Sequence, residues 1–250
     1  MSFSVIIPAR YASSRLPVKL LKDIHGKPLI QLTYENATKS GASQVVVATD
    51  DQRIARVCID FGAKVCMTSD KHTSGTSRIA EVLNELNVAD DEIIVNVQGD
   101  EPMLDPAVIN QVADNLHKSQ MQMATLCEPI ADKAQYLDPN CVKVVFDKFG
   151  KALYFSRAPI PYFRESQDFD LSLCYKHIGI YAYRSAFIKQ YLKMDSSRLE
   201  QVEKLEQLTV LNEGFDIHVE NACGDTGFGV DTQDDLDRVL NALAPSNNKG

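Results

Sequence analysis

At 250 residues, with 44% hydrophobic and 24% charged residues, the chain has the composition of a globular protein with one large domain, alone or with a smaller lobe. Its formal net charge of −8 argues against broad, sequence-independent nucleic-acid binding, which needs a basic face. A phosphate ligand stays open, because carboxylates beyond a screening length of about 8 Å count for little against a few local cations.

The six cysteines include no C-x-x-C pair and lie mostly in apolar runs, the placement of reduced core residues. No apolar stretch approaches the roughly 18 residues of a membrane span, and no signal-peptide pattern is visible. The expected setting is cytoplasmic, with no membrane insertion.

Residues 3–7 form a short apolar run rich in β-branched side chains, the pattern of a strand buried on both faces of a parallel sheet. Pro8, with no N–H to donate, is expected to end it. The loop that follows carries three cations, Arg10, Arg15 and Lys19, among the small residues Ala9, Ala12, Ser13 and Ser14. Small side chains let backbone N–H groups approach an anion, and ligands in open α/β sheets bind beyond the carboxyl ends of strands. The loop therefore reads as a phosphate-binding loop for a nucleotide.

Pro28 marks the first turn of a helix and Gly41 its close, and residues 44–49 and 63–67 read as further strands around a helix that ends at Gly62. Such alternation implies βαβ crossovers. Ser74-Gly75-Thr76-Ser77-Arg78 opens a helix to about residue 86. Its hydroxyls suit either N-capping or anion binding. Arg78 in the first turn opposes the helix dipole, which a bound anion would offset. Residues 93–97 form a fourth strand running into Gln98-Gly99-Asp100-Glu101-Pro102, an acidic turn suited to a Mg²⁺ that also takes substrate phosphate oxygens. Asp100 is the expected ligand, with Glu101 pointing elsewhere.

Residues 122–127, 141–147, 152–156 and 174–183 read as strands of a mixed-sheet excursion that supplies a second substrate's pocket, with a hairpin turn at 147–150 and a polar loop over 164–170. His177 and Tyr181 fall on one face of the last of these strands. Leu199, Val202, Leu205, Leu208 and Leu211 recur every third residue and predict one amphipathic helix, with Glu206 and Gln207 beside its apolar side. Residues 215–219 read as a strand. Past a glycine-rich turn, Asp231 is either the N-cap of a last helix (234–243) or a second metal ligand. A polar tail, 245–250, ends the chain.

Taken together, the motifs Ile7-Pro8-Ala9-Arg10-Tyr11-Ala12-Ser13-Ser14-Arg15-Leu16-Pro17, Ser74 to Arg78, Val97 to Pro102, Tyr154-Phe155-Ser156-Arg157-Ala158, His177-Ile178-Gly179-Ile180-Tyr181, Leu205-Glu206-Gln207-Leu208 and Val230-Asp231-Thr232 resemble the 3-deoxy-manno-octulosonate cytidylyltransferase (CMP-Kdo synthetase) family over residues 3–243. The resemblance implies a Rossmann-like, glycosyltransferase-A-like fold with a mixed, mainly parallel sheet and a small inserted substrate and dimerisation lobe. It implies one nucleotidyltransferase domain over 1–244, about 1–130 mainly nucleotide-binding and about 131–225 mainly sugar-acid pocket and dimer lobe.

By the same resemblance, CTP donates CMP to the 2-hydroxyl of an eight-carbon sugar acid in lipopolysaccharide biosynthesis, with Mg²⁺ as cofactor and a homodimer as the working form. Arg10, Arg15 and Lys19 would hold the triphosphate. Ala9, Ser74, Gly75, Arg78 and Gln98 would place the cytidine. Asp100 and Asp231 would bind the metal and, with Lys19, serve the transfer. Arg157, His177, Tyr181, Glu206 and Gln207 would line the sugar-acid pocket. Val18 stands where the family's loop usually has glycine, and residues 160–164 and 223–229 depart from the commoner pattern. An 8-amino-8-deoxy octulosonate is therefore a second candidate acceptor.

Overall fold

The computed structural model describes residues 2–11, 16–72, 74–165 and 169–244. The chain has a mixed α/β architecture and divides into two compact units. The first comprises Ser2–Val88, Ile94–Asn110 and the chain from Gly224 onward; the second comprises Ala89–Ile93 and Gln111–Cys223.

The first unit begins with β1 (Phe3–Ala9), whose residues are almost all buried. The strand runs through Pro8, which pairs with Ala48, rather than ending there. Ladder bonds of a parallel strand alternate between its two neighbours, so the missing N–H removes one bond and not the pairing. A three-residue 3-10 turn, Lys19–Leu21, and a short ribbon of β2 (Asp23–Ile24) and β3 (Lys27–Pro28) lead into α1 (Leu29–Thr38). β4 (Gln44–Thr49), α2 (Gln52–Asp60), β5 (Lys64–Met67), α3 (Gly75–Glu85) and β6 (Ile93–Asn96) follow. The sheet order is β6-β1-β4-β5, and the β1–β4 and β4–β5 pairs are parallel. Val5, Ile7, Val47, Ile94 and Val95 in its strands are fully buried, as the β-branched runs require.

α4 (Pro106–Lys118) belongs to the first unit as far as Asn110 and to the second from Gln111. The second unit contains β7 (Met123–Pro129), α5 (Lys133–Leu137), β8 (Lys143–Phe146), β9 (Ala152–Ser156), β10 (Tyr175–Arg184), α6 (Ser185–Tyr191), α7 (Arg198–Glu203), α8 (Gln207–Asn212) and β11 (Ile217–Asn221). β10 pairs antiparallel with β7 and β8, β8 with β9, and β11 runs parallel to β7. The loop expected over 164–170 is anchored at both described ends, because Phe163 and Phe169 pack their rings against Tyr136. In the first unit, α9 (Gln233–Ala242) is the last element.

The single helix expected over 199–211 is two. Lys204 adopts a left-handed φ of 55° and breaks it between α7 and α8. A strict three-residue spacing drifts around a 3.6-residue helix, and the two halves differ accordingly: Leu205 and Leu208 are buried, whereas Leu199 and Val202 are exposed. Among the described residues the cysteines are free and no helix is long and apolar enough to cross a membrane.

Candidate active site

In the first unit, three loops beyond strand ends converge on one ammonium group. Lys19 Nζ lies 2.5 Å from Asp100 Oδ2, 2.9 Å from Asp231 Oδ1 and 2.8 Å from the carbonyl oxygen of Val230. The two carboxylates, 131 positions apart by number in the chain (231 − 100), are therefore no farther apart than those two bonds laid end to end. A backbone bond from Val230 N to Asp100 O, 2.9 Å, ties the loops together. Burial alone would push the Lys19 ammonium down. The charge and hydrogen bond of Asp100, joined by those of Asp231, outweigh it and hold its pKa above the ordinary value.

Local backbone chemistry explains the convergence. Gly99 lets the turn after β6 pass close to β1, since a Cβ there would meet Pro8 O at 3.1 Å. Gly227, at φ 62°, lies where a Cβ would fall 2.7 Å from Met103 Cβ, so the strand-to-α9 loop can lie against that turn only with glycine. The Glu101 carboxylate lies against Gly229. Thr232, not Asp231, caps α9, in a reciprocal capping box with Asp235. That corrects the capping alternative for Asp231 by one residue and leaves its carboxylate to Lys19.

The other nucleotide candidates differ in what they already hold. Ala9 ends β1 and Arg10 follows it, exposed. Arg15 lies outside the described residues. Ser74 caps α3, its Oγ accepting from Ser77 N at 3.1 Å, and a Cβ on Gly75 would sit 3.5 Å from the Pro8 ring. Gln98 Nε2 reaches Asn96 Oδ1 only at 3.4 Å. Arg78 is 4% exposed and donates to Asp50 Oδ2 at 2.8 Å and to Thr68 Oγ1. Its first-turn charge therefore has an internal counter-ion, which the sequence reading did not anticipate. Asp50 Oδ1 is buried without a partner.

In the second unit, the His177 ring packs 5.1 Å from Phe155 and 5.4 Å from Tyr181. Thr125 Oγ1 stands 3.0 Å from His177 Nε2 and donates its one proton toward the Ile180 and Ile178 carbonyls, at 2.7 and 3.0 Å, so it accepts from Nε2–H. Burial pushes the His177 pKa down to about 3. Burial, then Tyr183, Glu206 and Tyr191, raises Tyr181 well above the ordinary phenol, which places Glu206 and Tyr191 close to the same ring. Gln207 is 4% exposed and its Nε2 has no partner. Arg157 donates from Nε to Glu203 O at 2.6 Å and from Nη1 to Pro139 O at 2.9 Å, while Nη2 has no partner among the described residues.

A family model described as Cytidylyltransferase matches residues 4–217. The 3-deoxy-manno-octulosonate cytidylyltransferase of Ruthia magnifica is 73% identical over 97% of this chain and 100% of its own length. The chain belongs to the 3-deoxy-manno-octulosonate cytidylyltransferase family. The Haemophilus influenzae (strain KW20) relative of the same name is 54% identical over 98% of this chain and 99% of its own. A solved CMP:2-keto-3-deoxy-manno-octonic acid synthetase complexed with CTP shares 43% identity at a TM-score of 0.90, covering 97% of this chain and 98% of that one.

Within this family member, sequence reasoning missed Tyr191, Thr125 and Glu203. Tyr191 follows no motif, and Thr125 reads as one more β-branched strand residue. Glu203 sits among solvent-facing residues of α7 and shows its role only in space, where its carboxylate accepts from Ser156 Oγ and Arg157 N.

Proposed function

We propose that this protein transfers CMP from CTP to the 2-hydroxyl of 3-deoxy-manno-octulosonate, in the cytoplasm, for lipopolysaccharide biosynthesis, and works as a homodimer. The meeting of Asp100 and Asp231 at Lys19, in a chain 73% identical to a relative of that name, carries the reading. In the step, the sugar's 2-oxygen bonds to the α-phosphorus of CTP while the bond from that phosphorus to the β-phosphate oxygen breaks. Pyrophosphate leaves with the electron pair and the hydroxyl proton passes to solvent.

Two carboxylates fit Mg²⁺, which takes one or two such ligands with phosphate oxygens and water. No group of three or more His, Cys, Asp or Glu side chains forms a denser metal site among the described residues. Bound there, Mg²⁺ would supply charge neutralisation at the phosphates and acidify a coordinated hydroxyl. Asp100 and Asp231 would hold that ion; Lys19, Arg10 and Arg15 would bind triphosphate oxygens; Ala9, Ser74, Gly75, Arg78 and Gln98 would orient the cytidine. Such transfers need positioning and charge neutralisation more than covalent help.

For the acceptor, Arg157 Nη2 and the buried Gln207 Nε2 have no partner among the described residues; the first suits the sugar's carboxylate, and the second needs an acceptor such as a sugar hydroxyl. His177, neutral with a pKa near 3, orients and packs rather than taking the hydroxyl proton, for which it is too weak a base. The test is pyrophosphate release from CTP and Mg²⁺ over a panel of acid sugars that includes 3-deoxy-manno-octulosonate and its 8-amino-8-deoxy analogue. Turnover with the former is expected. Preference for the analogue would reassign the acceptor, and CTP binding without turnover on any sugar would make the chain a nucleotide-binding regulator.

A further inference from the structure

Lys143, in β8, is the largest fully buried side chain of the described residues that carries a charge. A lysine is seldom buried completely, because desolvating an ammonium is costly unless every proton finds an acceptor. Here all three do, and all three acceptors are main-chain carbonyls. Nζ donates to Asp138 O at 2.8 Å, Cys141 O at 2.6 Å and Arg157 O at 2.8 Å. No carboxylate pairs with it directly, and burial pushes its pKa down.

The three carbonyls belong to two segments that meet nowhere in sequence. One is the turn 138–141 between α5 and β8; the other is the end of β9 at Arg157. The same two segments hold the Arg157 side chain. Its Nη1 donates to Pro139 O, inside the turn that Lys143 clasps at both ends. Its Nε donates to Glu203 O, and Glu203 also accepts from the Arg157 main-chain N at 2.8 Å and from Ser156 Oγ at 2.7 Å. The guanidinium is thus suspended between Pro139 and Glu203, with Nη2 unpartnered among the described residues. Lys143 fixes both the root of the arginine and one of its two supports.

We propose that Lys143 is a positioning residue for acceptor binding: it clamps turn 138–141 to the Arg157 main chain so that the arginine's fork faces the sugar-acid carboxylate in one orientation. This rests on Arg157 being the carboxylate-binding arginine. Removing the ammonium takes the donor from Cys141 O and Arg157 O and unties the turn from the Arg157 main chain, while the turn keeps its own Cys141 N to Asp138 O bond and Arg157 itself remains. A misplacement of about 1 Å in such a fork is enough to cost tenfold or more.

The experiment is a double-mutant cycle on the full chain, read as separate KM values for CTP and for the octulosonate. Lys143→Met is expected to raise the sugar-acid KM about tenfold with the CTP KM within twofold of wild type. In an Arg157→Ala background the same substitution is expected to add less than twofold, because the group it positions is gone. Lys143→Gln, which keeps an amide donor for one carbonyl, is expected to fall between wild type and Lys143→Met.

Equal effects of Lys143→Met in both backgrounds, or a CTP KM that rises in parallel, would overturn the positioning role, as would variants too unfolded to bind CTP at all. Arg157→Ala alone tests the reading beneath it. An unchanged sugar-acid KM there removes Arg157 from the acceptor site, whereas a raised KM there with none in Lys143→Met overturns the positioning role only.

Discussion

Lys19 sits where the proposed metal would have to bring its charge, and that makes a counter-intuitive prediction. Its ammonium is shared by Asp100 at 2.5 Å and Asp231 at 2.9 Å, on a side chain only 12% exposed. A divalent ion must displace that ammonium before it can use both carboxylates. A charge-assisted hydrogen bond contributes about 1.5–3 kcal/mol net, so losing even one such bond should weaken metal binding by about 10- to 100-fold. Lys19→Met should therefore bind Mn²⁺ or Mg²⁺ more tightly than wild type by about that factor when no nucleotide is present. Lys19→Arg, which keeps a cation between the carboxylates, should stay near wild type. Calorimetry or Mn²⁺ paramagnetic resonance on the nucleotide-free proteins measures this directly. On the proposed role of Lys19, CTP would give it phosphate oxygens as new partners, so in wild type nucleotide and metal should each strengthen the other's binding, and in Lys19→Met that coupling should shrink. A Lys19→Met protein that binds metal no better than wild type would refute the reasoning.

Asp50→Ala should lower unfolding stability by about 3 kcal/mol in urea titrations, because it leaves the buried Arg78 guanidinium without its carboxylate; a loss under 0.5 kcal/mol, on the scale of ordinary surface changes, would show the pair to be dispensable. His177 has a folded pKa of about 3 against an ordinary 6.5. The unfolded chain binds the extra proton between those values, so its contribution is complete above pH 6.5 and is lost as the pH falls toward 3. Wild type should lose up to about 2 kcal/mol more than His177→Gln between roughly pH 7 and 5, and parallel pH–stability curves would contradict that. Val18→Gly should raise stability by about 0.5–1 kcal/mol, the balance of relieved left-handed strain against glycine's added unfolded-state freedom; a fall in Tm would count against strain at that residue.

Much of the fold was legible because buried parallel strands are built around short β-branched runs, which residues 5–7, 45–47 and 93–95 display. What failed were places where one residue's local preference yields to its neighbours. Pro8 stays in β1 because strands flank it on both sides. The helix expected over 199–211 breaks at Lys204, a residue with no intrinsic liking for φ 55° that tertiary packing of Leu205 and Leu208 holds there. Val18 shows the reverse. Its substitution for the family's usual glycine was visible in the sequence, and the structure finds it at φ 59°, the region where only glycine sits without strain. The pattern left Asp231 open between a helix cap and a partner for Asp100, and the family resemblance favoured the latter. The Arg78–Asp50 pair, 28 residues apart, left no local signal at all.

The two lysines at the centre of these arguments share a coordination number and differ in everything that decides function. Each ammonium has three oxygen partners. Lys19 faces two carboxylates and a carbonyl and keeps some exposure, so its partners are groups that a divalent ion or a pair of phosphate oxygens can replace on equal electrostatic terms. Lys143 faces three neutral main-chain carbonyls from a side chain at 0% exposure, so its ammonium is out of reach of a soluble ligand. An exchangeable set of contacts suits a group that must move when substrate arrives, and an inaccessible set suits one that must not. The sequence pattern is the same in kind for both, a lysine beside a strand or within one. What separates the two is the chemistry of the oxygens that the fold brings to each.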